Sequence, residues 1–115
     1  MRLLKCKKLE KYLVDNNFID KRNIWCYAQM KAKLASEKEF LYGAILVCVK
    51  DGDFFLYIGE FNSIKIKLFY MCKISEMKNI VIKKKCFCTR VCFNVQEEWF
   101  QLDMDDWKRF MCVFE

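Results

Sequence analysis

Three cysteines lie close together in the second half of the chain, at the spacing Cys86-x-Cys88-x3-Cys92. Cysteine thiolates at short spacings are typical zinc ligands. On one straight strand the three sulfurs would share a face, but Cys92 would lie about 13 Å beyond Cys88. One Zn²⁺ holds each sulfur at about 2.3 Å, so the three cannot bind it together, although Cys48 or Cys72 could approach from a neighbouring strand. We predict free thiols, no metal site and no other cofactor.

The residues needed for nucleophilic catalysis are missing from the sequence. The chain has no His, so neither a Ser–His nor a Cys–His pair can form within it. Adjacent carboxylates occur at Glu97–Glu98, in a predicted turn, and at Asp105–Asp106, in the first turn of a predicted helix. Carboxylates in a turn are solvated, and carboxylates in the first turn of a helix are stabilised by the helix dipole, so neither pair is expected to act in general acid–base catalysis. The sequence therefore predicts a protein that is not an enzyme.

Basic residues are concentrated in two parts of a chain whose net charge is +6. Residues 1–38 carry ten Lys or Arg against four acids, and residues 62–90 carry eight against one. Such segments could attract phosphates or acidic partners, or they could be solvated outer faces of strands. The predicted binding residues are the densest patch and the lysines of a strand expected to adjoin it: Lys83, Lys84, Lys85, Arg90, Lys65 and Lys67. Nucleic acid is not expected, because most aromatics, Phe87 among them, fall on the core-facing phase.

Residues 3–15 have the pattern of an amphipathic helix, with Cys6, Leu9 and Leu13 along one stripe. We favour packing of this stripe on the chain's own domain; the alternative is that Cys6, Leu9 and Leu13 form a partner-binding helix that contacts a partner or second copy. We expect residues 1–22 to form this helix and a turn, and residues 23–115 to form one domain. The basic N-terminus lacks the continuous apolar run of a signal peptide, which favours a cytoplasmic location and reduced cysteines.

From residue 23 onward, apolar and polar residues mostly alternate, which indicates strands. Asp51-Gly52 is a hairpin signal, because both residues tolerate positive φ. A short helical turn is predicted at 74–79, and a C-terminal helix at 104–114 that Asp103 can cap. The predicted strands are 23–34, 40–50, 54–61, 64–73, 80–85, 86–95 and 99–103.

This order of elements resembles the pleckstrin-homology (PH) superfold, in particular the bacterial PH-like and GRAM-like domains, over residues 24–115. Three stretches carry the likeness: "FLYGAILVCVKDGDFFLYIGEF", "YMCKISEMKNIVIKKK" and "VCFNVQEEWFQLDMDDWKRFMCVF". The resemblance implies an α+β, mainly β fold. Its seven strands would form a partly open barrel of two near-orthogonal antiparallel sheets, capped by the C-terminal helix, with the N-terminal helix as an addition.

The resemblance also implies a binding role, since such domains bind proteins, peptides or lipid headgroups. Headgroup-binding members carry a basic loop between their first two strands, whereas here Glu37 and Glu39 flank Lys38. The expected function is therefore a non-catalytic binding or scaffold module that contacts a protein partner or another copy. An anionic-lipid or membrane-surface binder is the second interpretation, and a thiol- or zinc-dependent protein is the third.

Overall fold

The computed structural model describes residues 2–60 and 65–114 of the chain, with side chains from Lys7 onward. Helix α1 spans Arg2–Asp15. A 3₁₀ turn at Ile74–Glu76 separates the fourth and fifth strands, and the chain ends in a 3₁₀ turn, Trp107–Phe110, followed by helix α2, Met111–Phe114. The seven strands are β1 Trp25–Lys33, β2 Leu41–Lys50, β3 Asp53–Glu60, β4 Lys65–Lys73, β5 Lys78–Lys84, β6 Thr89–Val95 and β7 Glu98–Met104. The mainly β fold with seven strands and a helix at each end is confirmed.

The seven strands form one antiparallel sheet in the order β4-β3-β2-β1-β7-β6-β5. Strand β1 joins the two halves, because it pairs with β2 on one side and with β7 on the other. Hydrogen bonding is therefore continuous from β4 to β5, and the expected division into two near-orthogonal sheets is not confirmed. Strands β4 and β5 are the two edges of this sheet.

The turn between β2 and β3 is the one that the Asp-Gly signal predicts. Asp51 has φ 52° and Gly52 has φ 82°. Two successive positive φ values match the right-handed twist of the flanking strands, and Gly reaches them without a steric penalty. The turn fixes the register in which Lys50 faces Asp53.

The main core lies on one face of the sheet and is dominated by aromatic rings. Phe54 of β3 meets Phe93 of β6 at a centroid distance of 5.7 Å, and Phe93 stacks on Phe100 of β7 at 5.2 Å. Phe110 comes from the C-terminal helical segment, is fully buried and lies 6.4 Å from Phe54. The C-terminal segment therefore closes this face of the sheet, as predicted.

A second, smaller core forms where α1 packs on the opposite face. Leu9 and Leu13 are buried against Trp25, Leu46 and Tyr57. The i,i+4 spacing of the two leucines places both on one side of the helix. The two leucines are thus core residues of this chain, which agrees with the alternative that the stripe packs on its own domain, and the partner-contact alternative does not hold for Leu9 and Leu13. The side chain of Cys6, the third member of that stripe, lies outside the described residues.

At the C-terminal end, two boundaries differ from the sequence-based prediction. Strand β7 runs through Asp103 to Met104, and the C-terminal helical segment begins only at Trp107. The alternation of Phe100, Leu102 and Met104, all buried, continues the strand and outweighs the helical pattern. Asp103 is therefore a strand residue and not a helix cap.

Candidate functional site

Strand β5 and the turn after it form the most exposed part of the sheet. Every residue of β5 is exposed, and exposure continues through Lys85, Cys86 and Phe87 of the turn. The backbone N–H of Lys85 donates to the carbonyl of Cys88 at 2.9 Å, so Cys86 and Phe87 form the tip of a tight β5–β6 hairpin. Phe87 is 95% exposed. The prediction that Phe87 faces the core is therefore wrong.

Residues of the hairpin and of the C-terminal helical segment together line an open groove of about 650 Å³. We name six of its exposed residues the hairpin-end surface: Ile82, Lys84, Lys85, Phe87, Lys108 and Met111. Cys86 and Asp105, which also line the groove, are exposed as well. Half of the hairpin-end surface is apolar and half is cationic. Ile82 is 47% and Met111 46% exposed. Exposed apolar side chains that gather beside charges are typical of interaction surfaces.

The predicted basic residues do not form a single patch. Lys83 and Lys84 lie on β5 and Lys85 in the turn, whereas Lys65 and Lys67 lie on β4 at the opposite edge of the sheet. The expectation that the β4 lysines adjoin Lys83–Lys85 is wrong, because β4 hydrogen-bonds to β3 and β5 to β6.

Arg90 is engaged in an ion pair within the sheet. Its Nε donates to Asp103 Oδ1 at 2.8 Å and its Nη2 to Oδ2 at 3.1 Å. This hydrogen bonding from Arg90 holds the pKa of the Asp103 carboxyl below its ordinary value. The charge of Arg90 is thus compensated by Asp103 on the neighbouring strand, and the uncompensated positive charge of the β5–β6 hairpin comes from its lysines.

Glu10 connects α1 to the rest of the chain. Its Oε1 accepts hydrogen bonds from Asn23 Nδ2 at 2.7 Å, from Trp25 Nε1 at 2.9 Å and from Arg109 Nη1 at 3.4 Å. The Arg109 guanidinium also lies over the Trp25 ring, 5.1 Å from its centroid. One carboxylate therefore links the N-terminal helix, β1 and the C-terminal helical segment.

A second exposed aromatic cluster lies on the sheet face near the loop that joins β1 to β2. Tyr42 is 70% and Phe40 46% exposed, and the Lys31 Nζ lies 4.6 Å from the Phe40 centroid. Phe40 also contacts Trp99 edge-on at 5.9 Å. Lys31 already occupies the face of the Phe40 ring, which makes this cluster a useful control surface.

The cysteines divide into buried and accessible thiols. Burial raises the pKa of the Cys26 and Cys48 thiols well above the ordinary value and that of Cys72 to about 11. Cys86 and Cys112 are exposed. Among the described residues, no group of three His, Cys, Asp or Glu is placed to hold a metal ion. Cys86 lies in the turn and not on β6, so the three clustered cysteines do not share one straight strand.

Sequence reasoning missed Phe87 and Met111 as surface residues. The run Lys83–Lys85 was the available signal, because lysines are almost never fully buried and three in succession mark this part of the chain as exposed. The turn itself contains Cys and Phe in place of the Gly, Asn or Asp that mark hairpins. Phe87 was therefore assigned to the strand that follows.

Comparisons with known proteins concern the fold. No family model matches the chain, and no curated protein matches it. No helix among the described residues is long and apolar enough to cross a membrane. A solved structure described as "The pleckstrin homology (PH) domain of USP37" is similar to this chain, with a TM-score of 0.48 and 11% sequence identity over 79% of this chain and 90% of that chain. It is a likeness of fold at low sequence identity.

Proposed function

We propose that this chain is a non-catalytic protein-binding module that contacts its partner through the hairpin-end surface. The observation that carries the proposal is the exposure of Phe87 at the tip of the hairpin, beside Ile82 and Met111. Aromatic and Met side chains are enriched at protein interfaces, and a large exposed aromatic anchor is a frequent hot spot.

The charge of the hairpin-end surface indicates the chemistry of the partner. Lys84, Lys85 and Lys108 line the groove together with Asp105 and Asp106, and Asp106 is paired with Arg109 at 2.8 Å, so the lysines outnumber the acids. An acidic protein surface with an apolar side chain at its centre is therefore the best match. Complementary charge of this kind speeds association and fixes orientation. The cytoplasm remains the predicted location.

Anionic membrane surfaces are a second candidate because of the same tip. Phe87 projects from a hairpin in which Lys83–Lys85 lie two to four positions before it, and each lysine near an anionic surface contributes about 1 kcal/mol. In the N-terminal segment, Lys7 and Lys8 are exposed as well. The protein partner remains the leading proposal, since a groove of about 650 Å³ lies beside Phe87 and side chains of a protein can occupy it.

Site-specific photo-crosslinking in the native cell tests the proposal. A benzophenone amino acid is placed at position 87 in one variant and at position 42, in the exposed aromatic cluster, in a matched control. We expect a discrete protein adduct from position 87 alone, which is lost when Lys84→Glu and Lys85→Glu are added. Adducts from position 42 but not from 87, or co-sedimentation with anionic vesicles without any protein adduct, would contradict it.

A further inference from the structure

The backbone of β5 presents hydrogen-bonding groups to a free edge of the sheet. In the β5–β6 ladder, Lys84 faces Thr89, Lys83 faces Arg90, Ile82 faces Val91 and Val81 faces Cys92. Antiparallel ladders alternate between hydrogen-bonded and non-hydrogen-bonded pairs. The Lys85–Cys88 pair is hydrogen-bonded, so the alternation makes the pairs of Lys84 and Ile82 with β6 non-hydrogen-bonded. The N–H and C=O groups of Ile82 and Lys84 therefore point away from β6 and toward the free edge.

The side chains of β5 do not cover this edge. Among the described strands β5 is the one in which every residue is exposed, whereas the other edge, β4, buries Cys72 and half-buries Phe69 and Tyr70. Val81 is 60% exposed on one face of the sheet, and Ile82 is 47% exposed on the other. An exposed edge strand presents unpaired N–H and C=O groups to which a further strand can hydrogen-bond, and lysines on such an edge discourage pairing with strands that do not compensate their charge.

Charge decides which strand can be added. Lys78–Lys84 contains three lysines and no acid, and Lys85 follows directly. Pairing β5 with β5 of a second copy would bring both sets of lysines onto one ribbon, and like charges across a strand pair are destabilising. A strand that carries Asp or Glu opposite these lysines is instead stabilised by cross-strand pairs of opposite charge.

We propose, on the basis of the protein-binding role above, that the partner adds an extended acidic segment to the free edge of β5. Alternate side chains of the segment are apolar and lie beside Ile82 and the groove under Phe87. The intervening side chains are Asp or Glu and lie beside Lys83, and main-chain hydrogen bonds join the segment to Ile82 and Lys84. Strand addition of this kind takes affinity from the backbone and specificity from alternate side chains.

A synthetic peptide tests the proposal on the full chain. The probe is a capped peptide in which valine and glutamate alternate and glutamates close both ends; in its control, proline replaces the central valine. We expect the probe, at low salt, to slow amide hydrogen exchange at Ile82 and Lys84 while Val81 and Lys83, already bonded to β6, change little. The proline control should bind at least about tenfold more weakly, because it lacks a donor for the ladder.

Two variants separate the backbone from the side chain. Ile82→Pro removes the edge-facing N–H without removing a bond to β6, and Ile82→Ala shortens the side chain while keeping that N–H. We expect the Pro variant to lose about tenfold or more in peptide affinity relative to the Ala variant. Equal affinities of the two variants, with binding retained, would overturn strand addition while leaving the hairpin-end surface as a binding site.

Other outcomes also decide against the proposal. Absence of peptide binding at low salt would overturn it, and crosslinking from position 87 would still test the protein-binding role on its own. If, in the absence of peptide, the Ile82 amide becomes more protected from exchange as the protein concentration increases, the edge binds a second copy of the chain. Binding of the chain to anionic vesicles but not to the peptide would assign it to a membrane.

Discussion

Lys85 donates its backbone N–H to the carbonyl of Cys88 across a turn of two residues, and this bond places Phe87 at the exposed tip of the β5–β6 hairpin. A ring in that position forms few contacts with its own chain. The folded state therefore gains little from Phe87, and the ring remains available for a partner.

Replacement of Phe87 should leave the stability of the domain almost unchanged. For Phe87→Ser we expect the free energy of unfolding to change by less than about 0.5 kcal/mol, as for other exposed positions. Phe93→Ala, at a fully buried ring that contacts Phe54 and Phe100, should cost about 3–5 kcal/mol. Urea unfolding followed by tryptophan fluorescence measures both. Similar losses in the two variants would place Phe87 in the core.

Removal of the Glu10 carboxylate should loosen α1. Glu10→Ala deletes the acceptor for Trp25 Nε1 and Asn23 Nδ2, and we expect a loss of about 1–2 kcal/mol in the free energy of unfolding. Limited proteolysis should then cleave first near the end of α1, leaving the sheet intact. Glu39→Ala, in an exposed loop, is the control. Equal proteolysis of both variants would mean that Glu10 does not hold the helix.

The dependence of the free energy of unfolding on pH in the acid range should depend on Arg90. Hydrogen bonding from Arg90 lowers the folded-state pKa of Asp103, so this pair stabilises the fold above the unfolded pKa of about 3.9. The contribution is lost as the pH falls through the lower folded-state pKa. In Arg90→Gln we expect a small loss of stability at neutral pH that disappears in strong acid, where the carboxyl is protonated in both proteins. Lys67→Gln, which removes one exposed positive charge from β4, should show no such convergence; the same pH profile in both variants would refute the assignment.

The thiols should react in the order of their exposure. With iodoacetamide at mildly alkaline pH, Cys86 and Cys112 should be modified rapidly, whereas Cys26 and Cys48 should react only after unfolding, because both are buried and burial raises their pKa. Mass spectrometry of time-resolved digests measures the order. Early modification of Cys26 or Cys48 in the folded protein would contradict the packing described for β1 and β2.

Elemental analysis of the reduced protein should find less than about half an equivalent of zinc.

The sequence predicted the sheet better than it predicted the surface. Alternation from residue 23 onward and the Asp51–Gly52 turn place the strands, because period and turn chemistry are local properties. Asp103 has a helix-capping residue type, yet its actual role depends on Arg90, which lies across the strand pair. Leu9 and Leu13 fit either an internal or an external partner, and only the position of α1 on the sheet decides between them. Such choices depend on tertiary contacts that no local pattern contains.

The most direct test of the central claim is amide hydrogen exchange of the free protein along Val81–Lys84, the part of β5 that pairs with β6 in continuous register. We expect an alternating profile, with fast exchange at Ile82 and Lys84 and exchange slower by about tenfold or more at Val81 and Lys83, because bonds to β6 protect only the latter pair. Protection of all four amides would mean that this edge is already covered. Uniformly fast exchange would mean that β5 is not paired to β6, and either result would contradict a free binding edge beside Phe87.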